Sequence, residues 1–465
     1  MTPVLLVTDV LIWLLLVMVL AYVRQVMSSP LLKQSWSLVF QSRLACISAV
    51  LLAVALLVTL LDSVHFRADP ARQSRFGSPV ISALDLTVES LATQREKSYS
   101  APLATRALSK ETMEREGRPV RDYPRLKFGG KHLKDEATKG ADLAERAWRG
   151  LLLGGLVWAL VVWVFWLVRR ATAAEANRPA VLALSGSPAL HAVLITLFVV
   201  CVTGGVLSQW SAGYHVLGTD KVGMDVLYIS LKSVRTAMLI GLLTTLLTLP
   251  LGVALGLAAG YFSGWVDDLI QYLYTTLNAI PSVLLIAATM LMLQVALDAN
   301  PDWFSSSVEK ADLRLFFLCA ILGLTSWTGL ARLLRGEVLK LREQDYVLAA
   351  RANGVPHWQI LFTHLLPNLM PLVLISLVMD FSGLVLAEAV LSYVGVGVDP
   401  STFSYGTMIN AARLELSRDP LVWWSLAAAF VFMLMLVLSA NLFADAVRDA
   451  FDPRARQLKQ SLVRV

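Results

Sequence analysis

Between two apolar blocks the chain reads Asp345-Tyr346-Val347-Leu348-Ala349-Ala350-Arg351-Ala352-Asn353-Gly354-Val355-Pro356-His357-Trp358-Gln359-Ile360-Leu361-Phe362-Thr363-His364-Leu365-Leu366-Pro367-Asn368. Residues 342–352 are good helix formers. Asn353 and Gly354 then supply a C-terminal stop, and Pro356 suits the first turn of a new helix, so two short helices are expected to meet at a sharp corner. The second carries Trp358, Ile360, Leu361, Phe362 and Leu365 toward Pro367, where the next apolar run begins. Ala349, Ala350, Ala352 and Gly354 are small, which lets another surface approach the first helix and the corner closely. The plainer reading is a helix lying on a membrane surface and anchoring a loop.

The blocks on either side set the class. Of 465 residues, 56% are hydrophobic and 16% charged, against about 25% charged in soluble domains. A hydrocarbon core of about 30 Å takes roughly 20 apolar residues in a helix. Nine runs approach that length, near residues 4–23, 40–62, 149–168, 189–209, 228–258, 267–296, 314–331, 369–395 and 421–443. The expected fold is an all-α polytopic membrane protein of about nine transmembrane helices. Pro250, Pro281 and Pro371 sit within or at the ends of runs, where neighbouring helices satisfy the freed carbonyls. No Lys or Arg precedes the first run and a second follows at once, so it reads as a helix rather than a secretory signal.

Basic residues set the orientation. Arg24, Lys33 and Arg43, then Arg169, Arg170 and Arg178, then Arg332, Arg335, Lys340 and Arg342, and the tail residues Arg448, Arg454, Arg456 and Lys459 all fall on one side after nine crossings. The positive-inside rule makes that side the cytosol. The amino terminus is then periplasmic, the carboxyl terminus cytoplasmic, and the protein a multi-pass component of a bacterial inner membrane. The formal charge of +6 follows from those loops, so nucleic acid is not an expected partner while membrane lipid is.

The organisation expected is two N-terminal transmembrane helices in 1–62, a periplasmic insertion in 63–147, a third helix with a cytosolic linker in 148–188, a core in 189–455 and a cytosolic tail in 456–465. The insertion is mixed in charge. It reads as a small solvated domain or partly disordered loop, or more sharply as a docking surface for an external partner. Cys46, Cys201 and Cys319 stand singly in apolar stretches and the six histidines are dispersed, so neither a disulfide framework nor a metal site is expected. No G-x-x-x-x-G-K-S/T loop occurs. Gly129-Gly130-Lys131 is followed by His132, so the chain lacks that device for ATP. H-E-x-x-H and G-x-S-x-G are missing too, and no catalytic residue or enzyme activity is expected.

Ala349-Ala350-Arg351-Ala352-Asn353-Gly354, with Ile360 and then His364-Leu365-Leu366-Pro367-Asn368, resembles the EAA loop of ABC importer permeases. Leu348 stands where that motif carries its name-giving Glu. His215-Val216-Leu217-Gly218-Thr219-Asp220, with Gly223 and Asp225-Val226-Leu227, is similar to the signature outside the first core helix of the dipeptide, oligopeptide and nickel permease family; Val216 and Met224 replace the usual Pro and Arg. Glu388, residues 391–397, Tyr405-Gly406, and Asp449, Asp452, Pro453 and Arg454 look like later segments of the same family. Together these span about residues 189–455, and larger variants of the family carry an insertion near the amino end.

The resemblance implies a type I ABC importer permease core of six helices moving peptides by alternating access. Its implied partners are a second homologous permease, two ATP-binding subunits that hold ATP and magnesium, and a periplasmic solute-binding protein. It makes Ala349, Ala350, Arg351, Ala352, Gly354, Val355, Pro356, Ile360, His364 and Pro367 the elements that receive the ATPase stroke. Nickel or another small solute is a second cargo class, ranked lower because no His or Cys cluster lines a span. Asp9, Asp380 and Glu388 lie within apolar runs, where carboxylates face a partner or water. Asp380 either meets the amino group of cargo in the passage or sits at a helix interface. Glu388 and Tyr393 resemble positions near the outer mouth, as gate or substrate contact. A secondary transporter coupled to protons through Asp380 and Glu388 is the alternative from another class.

Overall fold

The computed structural model describes residues 2–115, 118–175, 188–304 and 306–451. Arg178, Asp452, Pro453, Arg454, Arg456, Lys459 and the 456–465 tail lie outside the described residues. Among the described residues nine helices are long and apolar enough to cross a membrane. The chain divides into two compact units, residues 1–5, 40–236 and 403–439 in the first and 6–39, 237–402 and 440–465 in the second.

In the first unit, strand β1 (Thr2–Val4) pairs antiparallel with β2 (His65–Arg67), and β2 with β3 (Val80–Ser82). In the second unit lie α1 (Val7–Ser28) and α2 (Pro30–Val39); α3 (Arg43–Asp62) returns to the first. The insertion adds α4 (Pro70–Phe76), α5 (Ala83–Thr87), α6 (Glu89–Thr93) and a hairpin of β4 (Glu111–Arg115) and β5 (Arg118–Asp122). Two long helices follow, α7 (Lys139–Glu175) and α8 (Pro188–Ser211), packed tightly against one another. Gly150, Gly154 and Gly205 let their backbones touch: a Cβ on Gly154 would lie 2.5 Å from the Cys201 carbonyl oxygen. Between helices in lipid, where apolar burial gives little drive, such small residues make close van der Waals contact possible.

The insertion is clamped onto residues 213–225. Backbone N–H groups of Glu96 and Leu103 donate to Gly223 and His215 carbonyls at 2.9 and 2.8 Å, Thr219 N–H donates to Ser100 at 3.1 Å, and Gly130 N–H to Gly213 at 2.8 Å. The buried Glu96 carboxylate accepts the N–H groups of Lys127, Phe128 and Gly129 at 2.9, 2.8 and 3.1 Å. Gly129, the first residue of the glycine-lysine stretch that fails as a phosphate loop, therefore helps hold an internal carboxylate. His215, buried, lies 2.8 Å from Asp225 and 3.4 Å from Glu96. Burial alone would lower the His215 pKa, but these two carboxylates hold it up to about 9. Burial would raise that of Glu96, but the His215 bond and the three backbone donors hold it at about 2.

A second clamp starts in helix α9 (Val226–Phe262), whose Lys232 ammonium donates to Asp62 at 2.7 Å and pairs with Asp85 at 2.9 Å. The first unit also holds α16 (Tyr405–Glu415) and the start of α17 (Trp424–Phe451), where Trp424 donates its indole N–H to the Thr219 carbonyl at 3.0 Å.

The second unit contains the rest of α9, then α10 (Trp265–Ala279), α11 (Ser282–Ala299), α12 (Ser307–Leu341), α13 (Asp345–Ala352), α14 (His357–Gln359) and α15 (Leu366–Val394). The expected single run near 267–296 is broken. Ile280 is extended and Pro281 caps α11, because proline has no N–H to continue the ladder and disfavours helical φ/ψ at the residue before it. Helix α1 packs on α12, where Asp312 accepts the Thr8 N–H at 3.1 Å and the Thr8 hydroxyl. Asp9, beside it, is buried.

Two measurements check this packing. Gly154→Leu is expected to part α7 from α8 and destabilise by about 1–3 kcal/mol, seen as a lower Tm in detergent. Gly155→Ala, whose Cβ meets nothing within 4 Å, is expected to leave Tm unchanged. The first clamp gives a pH dependence. His215 is raised from 6.5 to about 9, so its stabilisation is full below pH 6.5 and lost as pH rises through about 9. Glu96 is lowered from 4.5 to about 2, so its share is present above pH 4.5 and lost as pH falls through about 2. Protease resistance of the insertion is expected to be greatest between those ordinary values, and Glu96→Gln to flatten the alkaline limb.

Candidate functional site

The corner at Gly354 is built from backbone. After α13 the Asn353, Gly354 and Val355 N–H groups donate to Ala349, Arg351 and Ala350 carbonyls at 3.0, 3.0 and 3.1 Å. This closes the helix with Gly354 at φ +72°, a left-handed conformation that costs a side-chain-bearing residue about 1–2 kcal/mol. No heavy atom lies within 4 Å of the position its Cβ would take. Within this chain Gly354 is therefore required for its backbone angle rather than for space. Pro356 (φ −62°) then starts the next helix.

That next helix is not a separate short one. Residues 357–394 form a continuous helical stretch. Its junction is a π-turn over Ile360–Leu365, in which the Leu366 N–H reaches back to the Leu361 carbonyl. Pro367 cannot donate to the residue four before it, so the wider turn absorbs the missing bond. The span expected to begin at Pro367 thus begins at the corner itself.

The corner has an inner and an outer face. Val347, Ala350, Ile360, Leu365 and Leu369 pack on Leu257 and Tyr261 of α9 and on Leu330, Leu334 and Val338 of α12. Val347, Ile360 and Leu365 are each 0% exposed, and a fully buried side chain of this size contributes about 1.5–3 kcal/mol. Polar pins sit at the edge: Tyr261 and His357 lie 2.8 Å apart (hydroxyl to Nδ1), Arg342 donates to the Gly260 carbonyl at 3.3 Å and to Ser263, and Asn368 donates to the Tyr346 hydroxyl at 3.2 Å. Arg335 of α12 holds Asp267 of α10 through two bonds of 2.5 and 2.6 Å. These bonds outweigh burial and keep the Asp267 carboxyl below its usual range.

On the outer face Ala349, Arg351, Ala352, Pro356 and Pro367 are exposed and His364 half-buried, while Val355, half-buried, packs against the inner cluster. Trp358 and Phe362 also stand outward, 67% and 53% exposed, with ring centroids 5.1 Å apart. They were legible only as part of an apolar helix. Their i, i+4 spacing puts them on one helix face, but only the packing of α9 and α12 decides that this face lies outward.

The three intramembrane candidates do not converge. Asp380 is half-buried on α15 and, among the described residues, has no hydrogen bond or ion pair. Glu388, eight residues and about 12 Å further along the helix, is buried and accepts the Ser392 hydroxyl at 2.7 Å. Ser392 Oγ in turn accepts the Val398 N–H at 3.3 Å, and Gly397 fits beneath it. Glu388 therefore fastens the turn that ends α15. Tyr393 is exposed.

Residues 252–457 match the family described as binding-protein-dependent transport system inner membrane component. A dipeptide transport system permease protein, DppC, of Lactococcus lactis subsp. cremoris is 31% identical over 243 residues, 52% of this chain and 65% of that protein. An oligopeptide transport system permease protein, OppC, of Mycobacterium tuberculosis is 30% identical over 248 residues, 53% of this chain and 79% of its own. OppC of Bacillus subtilis is 30% identical over 243 residues, covering 52% and 73%. A solved MetNI methionine ABC transporter in an inward-facing conformation aligns over 49% of this chain and 98% of that one, at 16% identity and a TM-score of 0.38, too weak a likeness to bear on the fold. A corner held at positive φ, with an apolar inner face and small residues outside, thus occurs in a chain that is 30% identical to OppC over 248 aligned residues, which cover 79% of that protein's length. The protein is a multi-pass membrane permease and belongs to the binding-protein-dependent transport system inner membrane components, the permeases of ABC importers.

Proposed function

We propose that this chain is the permease subunit of an ATP-driven importer of di- or oligopeptides, working by alternating access. It would pair with a second homologous permease, two ATP-binding subunits that carry ATP and magnesium, and a soluble solute-binding protein outside. The observation that carries the coupling role is the corner at Gly354. Its outer face offers an exposed Trp358–Phe362 pair beside small residues, while its inner face is welded to α9 and α12 and continues without a joint into α15. A push on that face is delivered to the span as a rigid-body tilt rather than dissipated at a hinge. The peptide cargo rests on the relatives, which are dipeptide and oligopeptide permeases. The orientation, with the amino terminus periplasmic, rests on the basic loops. Asp380, half-exposed and unpaired among the described residues, is assigned to the passage, where a cargo ammonium offsets the cost of its charge in the membrane. Family membership removes the ground for the proton-coupled alternative.

Reconstituted with its partners, the complex is expected to take up peptide only with ATP, and vesicles holding this chain alone to take up none. Trp358→Ala with Phe362→Ala is expected to weaken retention of the ATP-binding subunits at least tenfold in pull-down, since exposed aromatic anchors dominate such contacts, with Tm unchanged. Gly354→Val is expected to cut peptide-stimulated ATP hydrolysis several-fold in assembled complexes. Normal stimulation in that variant would rule the corner out as receiver.

A further inference from the structure

Residues 96–100 of the insertion form a strap with two sides. Toward residues 213–225, the Glu96 N–H donates to the Gly223 carbonyl at 2.9 Å, the Thr219 hydroxyl to the Ser98 carbonyl at 2.9 Å, the Ser100 N–H to that hydroxyl at 2.7 Å, and the Thr219 N–H to the Ser100 carbonyl at 3.1 Å. The backbones touch there. At Gly218 and Gly223, both at positive φ, a Cβ would lie 2.4 Å from the Ser100 carbonyl oxygen and 1.9 Å from that of Glu96. Toward the segment that joins α16 to α17, the Tyr99 hydroxyl bonds the Glu415 carboxylate, and Arg418, paired with Glu415, holds its guanidinium 5.3 Å from the centre of the Tyr99 ring. Trp424 closes the circuit by donating to the Thr219 carbonyl at 3.0 Å. Glu96, Tyr99, Ser100, Thr219, Glu415 and Trp424 are all buried, while Lys97 faces out.

We propose that this strap is a permanent brace, joining residues 213–225 and 415–424 into one body that stays closed through every stage of transport. The inference rests on the alternating-access reading above. A lid that opened in each cycle would be drawn from weakly held, solvent-facing backbone. Here the opposite holds. Lifting the strap would strand the Thr219 hydroxyl and the Tyr99–Glu415 pair away from their partners, and buried polar groups are costly to leave unmatched. Glycine at 218 and 223 serves the close approach of a second backbone, which only a seated strap supplies. Residues 213–225 lead into α9, and residues 415–424 run from the end of α16 to the start of α17. The ends of α9 and α17 on the insertion's side therefore tilt together as a rigid body and do not part.

The test compares amide hydrogen exchange in the full reconstituted complex at rest and in the same complex trapped in turnover with ATP and vanadate. The Glu96, Thr219 and Arg418 amides are expected to keep their protection within about threefold in both states. Exchange faster by about tenfold or more at any of them in the trapped state overturns the brace. Tyr99→Phe, which deletes only the bond to Glu415, is expected to speed exchange at Arg418 equally in both states; an effect confined to one state overturns the brace as well. Ser100→Cys with Thr219→Cys replaces two side-chain oxygens that lie 3.1 Å apart, so a disulfide can lock the strap after a small shift. The locked complex is expected to take up peptide as fast as its reduced form. Uptake that falls on oxidation and returns with dithiothreitol makes the strap a lid and sinks the proposal. Failure of the brace alone leaves ATP-driven uptake by the unsubstituted complex intact. If that uptake is absent, the importer reading falls, and with it the cycle in which the brace acts.

Discussion

One left-handed residue, Gly354, governs the corner between α13 and the helical stretch that follows it. At Gly354 the chain must leave α13 and start a new helix within three residues, and only a positive φ lets the 349–351 carbonyls be satisfied while the backbone turns. On both sides of the corner the side chains that point inward are fully buried, Val347 before it and Ile360 and Leu365 after it. A turn whose flanks are both anchored in one apolar cluster has no soft direction. The π-turn at 360–365 extends that stiffness by carrying the helix past Pro367 without a break. Rigidity at this place is what the proposed coupling role requires, since a contact on Trp358 and Phe362 would then be felt along α15.

The insertion is governed by the opposite kind of interaction. Its folded state depends on buried charge: Glu96 held by three backbone donors and His215, Asp85 by Lys232. An ionised carboxylate removed from water persists only when such donors replace its hydration. Because the matching cations come from elsewhere in the chain, the insertion is fastened to the 213–225 signature and to α9.

Much of this was legible from residue order. Long apolar runs must become helices in lipid, since no water is present to satisfy an unpaired backbone, and all but one of the nine runs correspond to one unbroken helix. Asn353, Gly354 and Pro356 announced the corner through their own backbone preferences. The exception, 267–296, was apolar enough to look continuous, and the local rule for the residue before a proline prevailed at Ile280. Glu96 gave no signal: in a segment of mixed charge nothing distinguishes the one carboxylate that three N–H groups from residues 127–129 will enclose. Nor did order alone separate Ile360, which is buried, from Phe362, which is not, because that depends on which face α9 and α12 occupy.

By itself, then, the sequence determined the membrane class, the positions of the spans and the site of the elbow, because hydropathy and the conformational limits of glycine and proline act within a few residues. Tertiary structure alone decided that the elbow runs into α15, that Asp380 has no hydrogen bond or ion pair among the described residues while Glu388 is tied to Ser392, and that the insertion locks onto residues 213–225. Those outcomes turn on partners more than a hundred residues apart, such as Glu96 with His215 and Asp62 with Lys232, or on a geometry set by packing, and no local preference encodes either.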